Sequence, residues 1–518
     1  MPERDLHLGV DVGATYTDAV VIDGRRQLVA KVKVPTTPKL GGSIAEAVHR
    51  LAQDPRVDPT RVTRAMLGTT RATDVLAEPS GVKRVAVLRI GGPSTLAVPP
   101  LATWPDGLRG AVSVGEVVVG GGAEYDGRAA GALDVEAIER FLDRVAGDAQ
   151  GVAIAGVFSP VAPDHELAAA EIVCRQLGRA VPVSLSHEIG SVGLLERENA
   201  TVLNAALVGV ARSLAAVLDR ALAAEGIDAE PFFAQNDGTV MALEHALRFP
   251  VLMIGSGPAN SMRGAAYLSG VVNGAVVDVG GSTTNVGVLV HGYPRPSPRA
   301  TDIAGVRMDF RMPEVFGLPF GGGTVVDPQA DPPAIGPASV GDRLAQEALV
   351  FGGETATLTD AAVAGGRADI GSHRLSAAHR RALSPLLEIV DERLADAIDR
   401  AKGALPAVPL VVVGGGSGLV APGLAGVTNL VVPADAEVAS AIGVAIAPVS
   451  GQADRICPNR PEERERAREE ASRAAFARAI HAGADPDAVD VVEVEEVPLT
   501  SMVDPAVRIR VRAVGPRS

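Results

Sequence analysis

Two short Gly/Thr turns, each entered from an apolar run that ends near an aspartate, constrain this chain more than any other feature. The first is Leu8-Gly-Val-Asp11-Val-Gly13-Ala14-Thr15-Tyr-Thr17-Asp18, continuing Ala-Val-Val-Ile-Asp23. The second is Ala275-Val-Val-Asp278-Val-Gly280-Gly281-Ser282-Thr283-Thr284-Asn285, continuing Val-Gly-Val-Leu-Val290. Each reads as strand, tight hairpin, strand. Glycine permits positive φ and lets a ligand approach the backbone closely. The N–H groups and hydroxyls of such a turn can hold phosphate oxygens. An aspartate at the strand end can reach a magnesium ion, directly or through water. Two such hairpins, about half a chain apart, predict a duplicated domain that grips one nucleotide from both sides.

The rest of the composition narrows the class. At 518 residues the chain is too long for one ordinary core, so two or more domains are expected. It is 47% hydrophobic and 21% charged, which is globular. The formal net charge of −14 argues against nonspecific nucleic-acid binding and against docking on acidic membranes. Cys174 and Cys457 stand far apart and outside any CxxC or Cys/His cluster, which argues against a disulfide framework, an iron–sulfur cluster and a zinc site. Met-Pro-Glu-Arg-Asp leads straight into the first strand, and no uninterrupted apolar run reaches bilayer length, so a cytoplasmic location is expected.

Along the chain, strands are expected at Leu6–Val12, Asp18–Ile22, Leu28–Val34, Val62–Leu67 and Val82–Ile90, with a helix over Gly42–Ala52 capped by Ser43. The Gly/Pro-rich stretch 91–131 reads as loops and short strands. Val135–Val145 is amphipathic, Gly151–Val157 is a buried strand, and His165–Leu177 is a helix for which Asp164 is a natural cap. Leu194–Glu225 has helical apolar spacing and joins the two halves. Further strands are expected at Pro231–Ala234 and Leu410–Val413, a loop at Gly321-Gly322-Gly323-Thr324, and a small-residue helix at Ala436–Ala447. Three domains follow: 1–193, 194–457, and 458–518. The last is a small appendage with a highly charged helix over Glu462–His481 and strand-like runs at Val489–Val497 and Val507–Val514.

A third element strengthens the nucleotide reading. The apolar strand Leu410–Val413 ends in Gly414-Gly415-Gly416-Ser417, whose glycines would let a flat adenine lie against the backbone, with the small-residue helix packed behind. Order and spacing together resemble the two phosphate motifs and the adenosine motif of the actin/Hsp70/sugar-kinase superfamily. More narrowly, the chain resembles the A-type subunit of the hydantoinase/oxoprolinase family. That likeness is carried by Leu67-Gly-Thr-Thr-Arg-Ala-Thr-Asp-Val-Leu-Ala-Glu78, Glu196-Arg-Glu-Asn-Ala-Thr-Val-Leu-Asn-Ala205, Gln235-Asn-Asp-Gly238 and Gly255-Ser-Gly-Pro-Ala-Asn-Ser-Met-Arg-Gly-Ala265, together with the second hairpin. It covers roughly residues 6–450.

The resemblance implies an α/β, two-lobed actin-like ATPase fold of duplicated ribonuclease H-like halves, with ATP and magnesium in the cleft. It implies hydrolysis of a cyclic amide such as a hydantoin or 5-oxoproline, ATP phosphorylating the carbonyl oxygen. On this view Asp11 and Asp278 hold magnesium, with Asp278 also able to serve as base. Gly13, Ala14, Thr15, Thr17, Gly280, Gly281, Ser282 and Thr283 hold phosphates, and Gly414, Gly415 and Gly416 face the adenosine. Thr69, Thr70 and Thr73 follow a strand on a loop that reads alone as a hydroxyl-capped turn; the resemblance points them at substrate. Glu196 and Asn199 open the connecting helix, where a polar group can position water and where an acid is also simply favourable. Asn236 and Asp237 are substrate candidates that equally suit a cap or a turn. His165 and His187 read as structural or exposed rather than as ligands.

Two positions depart from the family pattern: Asn285 stands where an aspartate is common, and Asp74 where an asparagine is usual. No B-type half follows, so a separately encoded partner subunit is expected, and a homo-oligomer stays open. A carboxylase subunit of the same family, a small-molecule kinase and a non-catalytic regulatory ATPase are the alternative activities. An actin-like filament ATPase is a further class, and a dehydratase activator is disfavoured because it would need bridging cluster cysteines.

Overall fold

The computed structural model describes residues 5–37, 40–79, 81–190, 193–297, 300–308, 312–499 and 505–517. Its organising element is the buried strand Leu6–Val12, antiparallel to Tyr16–Asp23 and parallel to Val62–Thr69. Leu28–Pro35 pairs outside Tyr16–Asp23, and Glu230–Ala234 continues beyond Val62–Thr69. The second half repeats this plan. Gly274–Val279 is antiparallel to Thr284–Val290 and parallel to Val408–Val413, with Tyr293–Pro294 and Val427–Val431 as the outer neighbours. Equal strand order and direction in both halves make the duplication a property of the backbone. The fold is mixed α/β and two-lobed, with an actin-like plan.

Two short helices lie between the lobes, Ser256–Ser269 and Ala439–Ile446. Their faces carry small residues because the backbones touch. A Cβ on Gly264 would overlap the Ala439 carbonyl, and one on Gly443 would overlap the Asn260 carbonyl. Leu194–Ala224 forms one continuous 31-residue helix. Among the described residues it is the one helix long and apolar enough to cross a membrane, and here it is mostly packed inside the fold.

A four-stranded parallel sheet, ordered Ser113–Gly120, Val85–Gly92, Gly151–Gly156, Val183–Leu185, stands beside the first lobe. Helix Val135–Val145 covers it with Ile138, Phe141, Leu142 and Val145, a helical apolar stripe, and Asp134 caps it by accepting from the Ala137 N–H. Arg89 fastens this sheet to the long helix through two 2.6 Å hydrogen bonds to Glu198, both residues fully buried.

Several local expectations are corrected. The stretch 91–131 holds helix Asp106–Val112 and the eight-residue strand Ser113–Gly120, because pairing with Val85–Gly92 outweighs its glycines. Ser43 is buried inside helix Leu40–Ala52 rather than at its start. Asp164 occupies the first helical turn and makes no capping bond. Three strands from the C-terminal part extend the first-lobe sheet, which runs Asp490–Leu499, Ala506–Gly515, Val449–Pro458, Val240–Ala242 and on to the central strands. The charged helix Pro461–His481 packs there through Ala467, Ala471, Ala475 and Ala479, one alanine per turn.

Candidate functional site

The two hairpins face each other across a cleft of about 350 Å³. Each turn closes the same way: the Gly13 N–H donates to the Tyr16 carbonyl at 3.0 Å, and Gly280 N–H to the Thr283 carbonyl at 2.9 Å. The turns nearly touch, since a Cβ on Gly281 would come within 2.7 Å of the Thr15 hydroxyl. A Gly-rich loop braces the second turn, Gly322 donating to Gly280 O at 3.0 Å and Gly323 to Gly281 O at 2.7 Å. Gly414 follows strand Val408–Val413 with φ of +89°, and a Cβ there would press into the Asp278 carboxylate at 2.5 Å. Gly416 donates to the Val279 carbonyl, while Gly415 faces open space. Glycine is therefore required by geometry beside Asp278, and likewise at Gly68, where a Cβ would press into the Asp11 carboxylate.

The cleft is rich in carboxylate. Burial, with the Asp18 and Asp278 charges, pushes Asp11 up to about 7 against hydrogen bonds from Asn260 and Ser440. The Asn260 amide donates to Asp11 Oδ1 at 3.1 Å. Burial likewise raises Asp278, opposed by a Ser261 hydrogen bond and by Lys33. Asp18 is raised by burial despite the Lys33 ammonium, which sits 2.5 Å from its Oδ1. Three buried carboxylates around one ammonium leave a deficit of positive charge that a divalent cation would relieve. Among the described residues no three His, Cys, Asp or Glu side chains converge as a metal cage. Two carboxylates at the cleft, joined by water and phosphate oxygens, would be a donor set of the kind magnesium accepts.

The structure divides the residues singled out from sequence. Asp11, Gly13, Ala14, Thr15, Asp278, Gly280, Gly281, Ser282, Thr283, Gly414, Gly415 and Gly416 line this cleft, with Thr70 at its edge. Thr17 does not; it is fully buried beneath the first turn, its hydroxyl 3.0 Å from that of Thr36, which itself donates to Gly13 O. Thr69 is buried, and the Thr73 hydroxyl donates to the Ile254 carbonyl. Glu196 lies 3.4 Å from Arg307, and Asn199 joins the Trp104 indole N–H to the Arg307 carbonyl, apart from the aspartates. Asn236 accepts from the Gly255 N–H at 2.8 Å and, with Asp237, borders a different and larger cavity. His165 accepts from the Gly122 N–H, and His187 pairs with buried Glu166 at 2.6 Å; both are structural.

Lys33, Asp18, Asn260, Ser261 and Ser440 were not reached from sequence. Lys33 had one legible signal: Lys31 and Lys33 alternate on one face of an otherwise apolar strand.

Residues 7–177 match the hydantoinase/oxoprolinase N-terminal region and residues 197–372 match the hydantoinase/oxoprolinase family, together most of the chain. The caprolactamase subunit alpha of Pseudomonas jessenii is 27% identical over 442 residues, covering 80% of this chain and 63% of that protein. An uncharacterized protein of Methanocaldococcus jannaschii is 25% identical over 393 residues, covering 70% and 56%. The chain thus spans about three fifths of the length of these relatives. The crystal structure of the ATP-dependent caprolactamase of Pseudomonas jessenii superposes with a TM-score of 0.79 at 20% identity, covering 98% of this chain and 87% of that one. Acetone carboxylase in its nucleotide-free form gives 0.68 at 18% identity, covering 99% and 88%. Coverage that high takes in the C-terminal strands, so they belong to the shared fold. The chain belongs to the hydantoinase/oxoprolinase family.

Proposed function

We propose that this chain is the ATP-binding subunit of a two-component enzyme that opens a cyclic amide. The observation that carries the reading is the facing pair of hairpins, with Asp11 and Asp278 on equivalent strands and Thr15 against Gly281. In this proposal the turn N–H groups and the hydroxyls of Thr15, Ser282 and Thr283 hold the phosphates. Asp11 and Asp278 hold magnesium through water, and Lys33 approaches from the Asp18 side. The Gly414–Gly416 shelf takes the adenosine.

ATP would supply a phosphoryl group to the amide oxygen, making a poor electrophile reactive. The chain's own contribution is alignment and charge neutralisation on that group. The amide itself would be a lactam, hydantoin or 5-oxoproline-like ring, and a separately encoded subunit would complete the site where it is opened. A carboxylase of the same family would use the same ATP site.

Calorimetric titration of the chain with ATP, with and without magnesium, tests the core of this reading. Magnesium-dependent binding that Asp11→Asn and Asp278→Asn each weaken at least tenfold supports it; absence of ATP binding overturns it. Ring opening coupled to ADP release, followed with hydantoin, 5-oxoproline and caprolactam, would then identify the amide.

A further inference from the structure

The larger cavity, about 460 Å³, is lined by the Gln235-Asn236-Asp237 motif and by neither phosphate hairpin. It opens where helix Leu243–Arg248, the strand Val449–Pro458 and the C-terminal helix Pro461–His481 meet the 235–237 loop. Four nitrogen-rich side chains face it: His245, Arg248, Arg478 and His481. Its two carboxylates are already committed. Glu188 accepts from Arg248, and Asp237 accepts from Thr239, Ser450 and Gln452. Arg478 is exposed, and its one hydrogen bond given by the described residues goes to the Gln452 carbonyl at 2.7 Å.

His245 reports the local potential. Its ring lies 4.7 Å from Phe249 and 5.8 Å from His481, and its buried Nδ1 has no hydrogen-bond partner among the described residues. Burial first, then His481, Arg248 and Arg478, push its imidazole down to about 4. Arg248 is neutralised by Glu188, so the wall offers the Arg478 guanidinium and two imidazoles with no uncommitted carboxylate, which makes it a receptor for an anion. Phe249, Leu252 and Ile189 add an apolar side, which suits an organic body rather than a bare ion.

We propose that this cavity binds a small organic anion, a carboxylate or phosphate monoester with a short apolar body, at Arg478, with the Glu188-paired Arg248 beside it. The site is distinct from the nucleotide cleft and does not depend on the cyclic-amide reading.

The test is calorimetric titration of the full chain with succinate and, separately, with phenyl phosphate. It is repeated on Arg478→Gln, Arg248→Gln and Asp11→Asn. Saturable binding of either anion, weakened at least tenfold by Arg478→Gln and unchanged in Asp11→Asn, supports the site. No binding of either anion overturns it, as does equal binding by both arginine variants. Binding lost in Asp11→Asn would place the anion in the nucleotide cleft and also overturn it. Because an arginine variant could lose binding by misfolding, the imidazole NMR signals of His245 in the unaltered chain give a second reading. They shift on adding succinate if the anion sits in this cavity and stay fixed if it does not.

Discussion

Asn285 stands opposite Asp278 across the second hairpin, the position that Asp18 holds opposite Asp11 across the first. The departure from the family pattern thus falls on a site with an internal counterpart. The first hairpin carries two carboxylates, with the Lys33 ammonium on the adjoining strand; the second carries one carboxylate and an amide. The asymmetry sets the charge of the cleft, since both Asn285 and Asp18 line it.

Asn285→Asp adds a further carboxylate beside Asp278, whose charge burial already disfavours. We expect ATP to bind about 3- to 10-fold more weakly at 1 mM magnesium, a loss of roughly 1 kcal/mol that is of the size a nearby exposed charge produces. Raising magnesium should recover most of it. Titrating ATP at two magnesium concentrations checks this, and an affinity unchanged at both would remove Asn285 from the phosphate environment.

Asp11 links the cleft to stability. The folded chain keeps Asp11 protonated until about pH 7, against an ordinary value of 3.8. Between those values the folded state holds the extra proton, so stability falls as pH rises through the window. Asp11→Asn removes the liability. In magnesium-free buffer the variant should match the parent near pH 4 and exceed it at pH 8 by roughly 2–4 kcal/mol, while losing ATP binding. Urea unfolding at the two pH values measures the difference; a parent as stable as the variant at pH 8 would contradict the assignment.

The two histidines held neutral act with the opposite sign. His7 and His245 are each pushed down to about 4 by burial and neighbouring positive charge. The unfolded chain binds protons at these rings first, near pH 6.5, so their contribution is intact above that value and is lost as pH falls toward 4. His245→Gln should flatten this acid limb, moderating the loss between pH 7 and pH 5 by about 1–2 kcal/mol. Thermal unfolding at steps between those values reads it directly, and parallel curves for parent and variant would count against the neutral ring.

What the sequence conveyed and what it concealed divide along the range of the interactions. Hairpin turns are local: Gly13 and Gly280 each close a turn with a residue three positions on, and the pattern is visible in the chain. Lys33 lies on a strand whose alternation shows which face it shares but not that Asp18 covers that face. Glu196 and Asn199 sit on a helix whose start was legible, whereas their partners Arg307 and Trp104 come from distant segments. Strand Ala506–Gly515 had readable β character, yet its place beside Val449–Pro458 in the first-lobe sheet depends on non-local pairing. The small residues around Gly443 signalled a helix packed closely behind the Gly414–Gly416 loop, whereas Gly443 packs against Asn260 and Gly264 of helix Ser256–Ser269.

That close packing gives the sharpest structural expectation. Helices Ser256–Ser269 and Ala439–Ile446 carry residues that line the cleft, among them Ser261 and Ser440. At their crossing a Cβ on Gly443 would overlap the backbone of Asn260, whose side chain holds Asp11. Backbone cannot rotate aside as a side chain can, so Gly443→Ala must separate the helices. Overpacking of this kind costs about 1–3 kcal/mol and occasionally more. The displacement also pulls Asn260 away from Asp11, so ATP binding should weaken along with stability. Gly110→Ala in helix Asp106–Val112 is the matched control, because a Cβ there meets nothing within 4 Å and the residue lies outside the cleft. Unfolding and ATP titrations on both variants check the argument. If Gly443→Ala behaves as Gly110→Ala does, the helices are not in the contact that joins the two lobes at the aspartates.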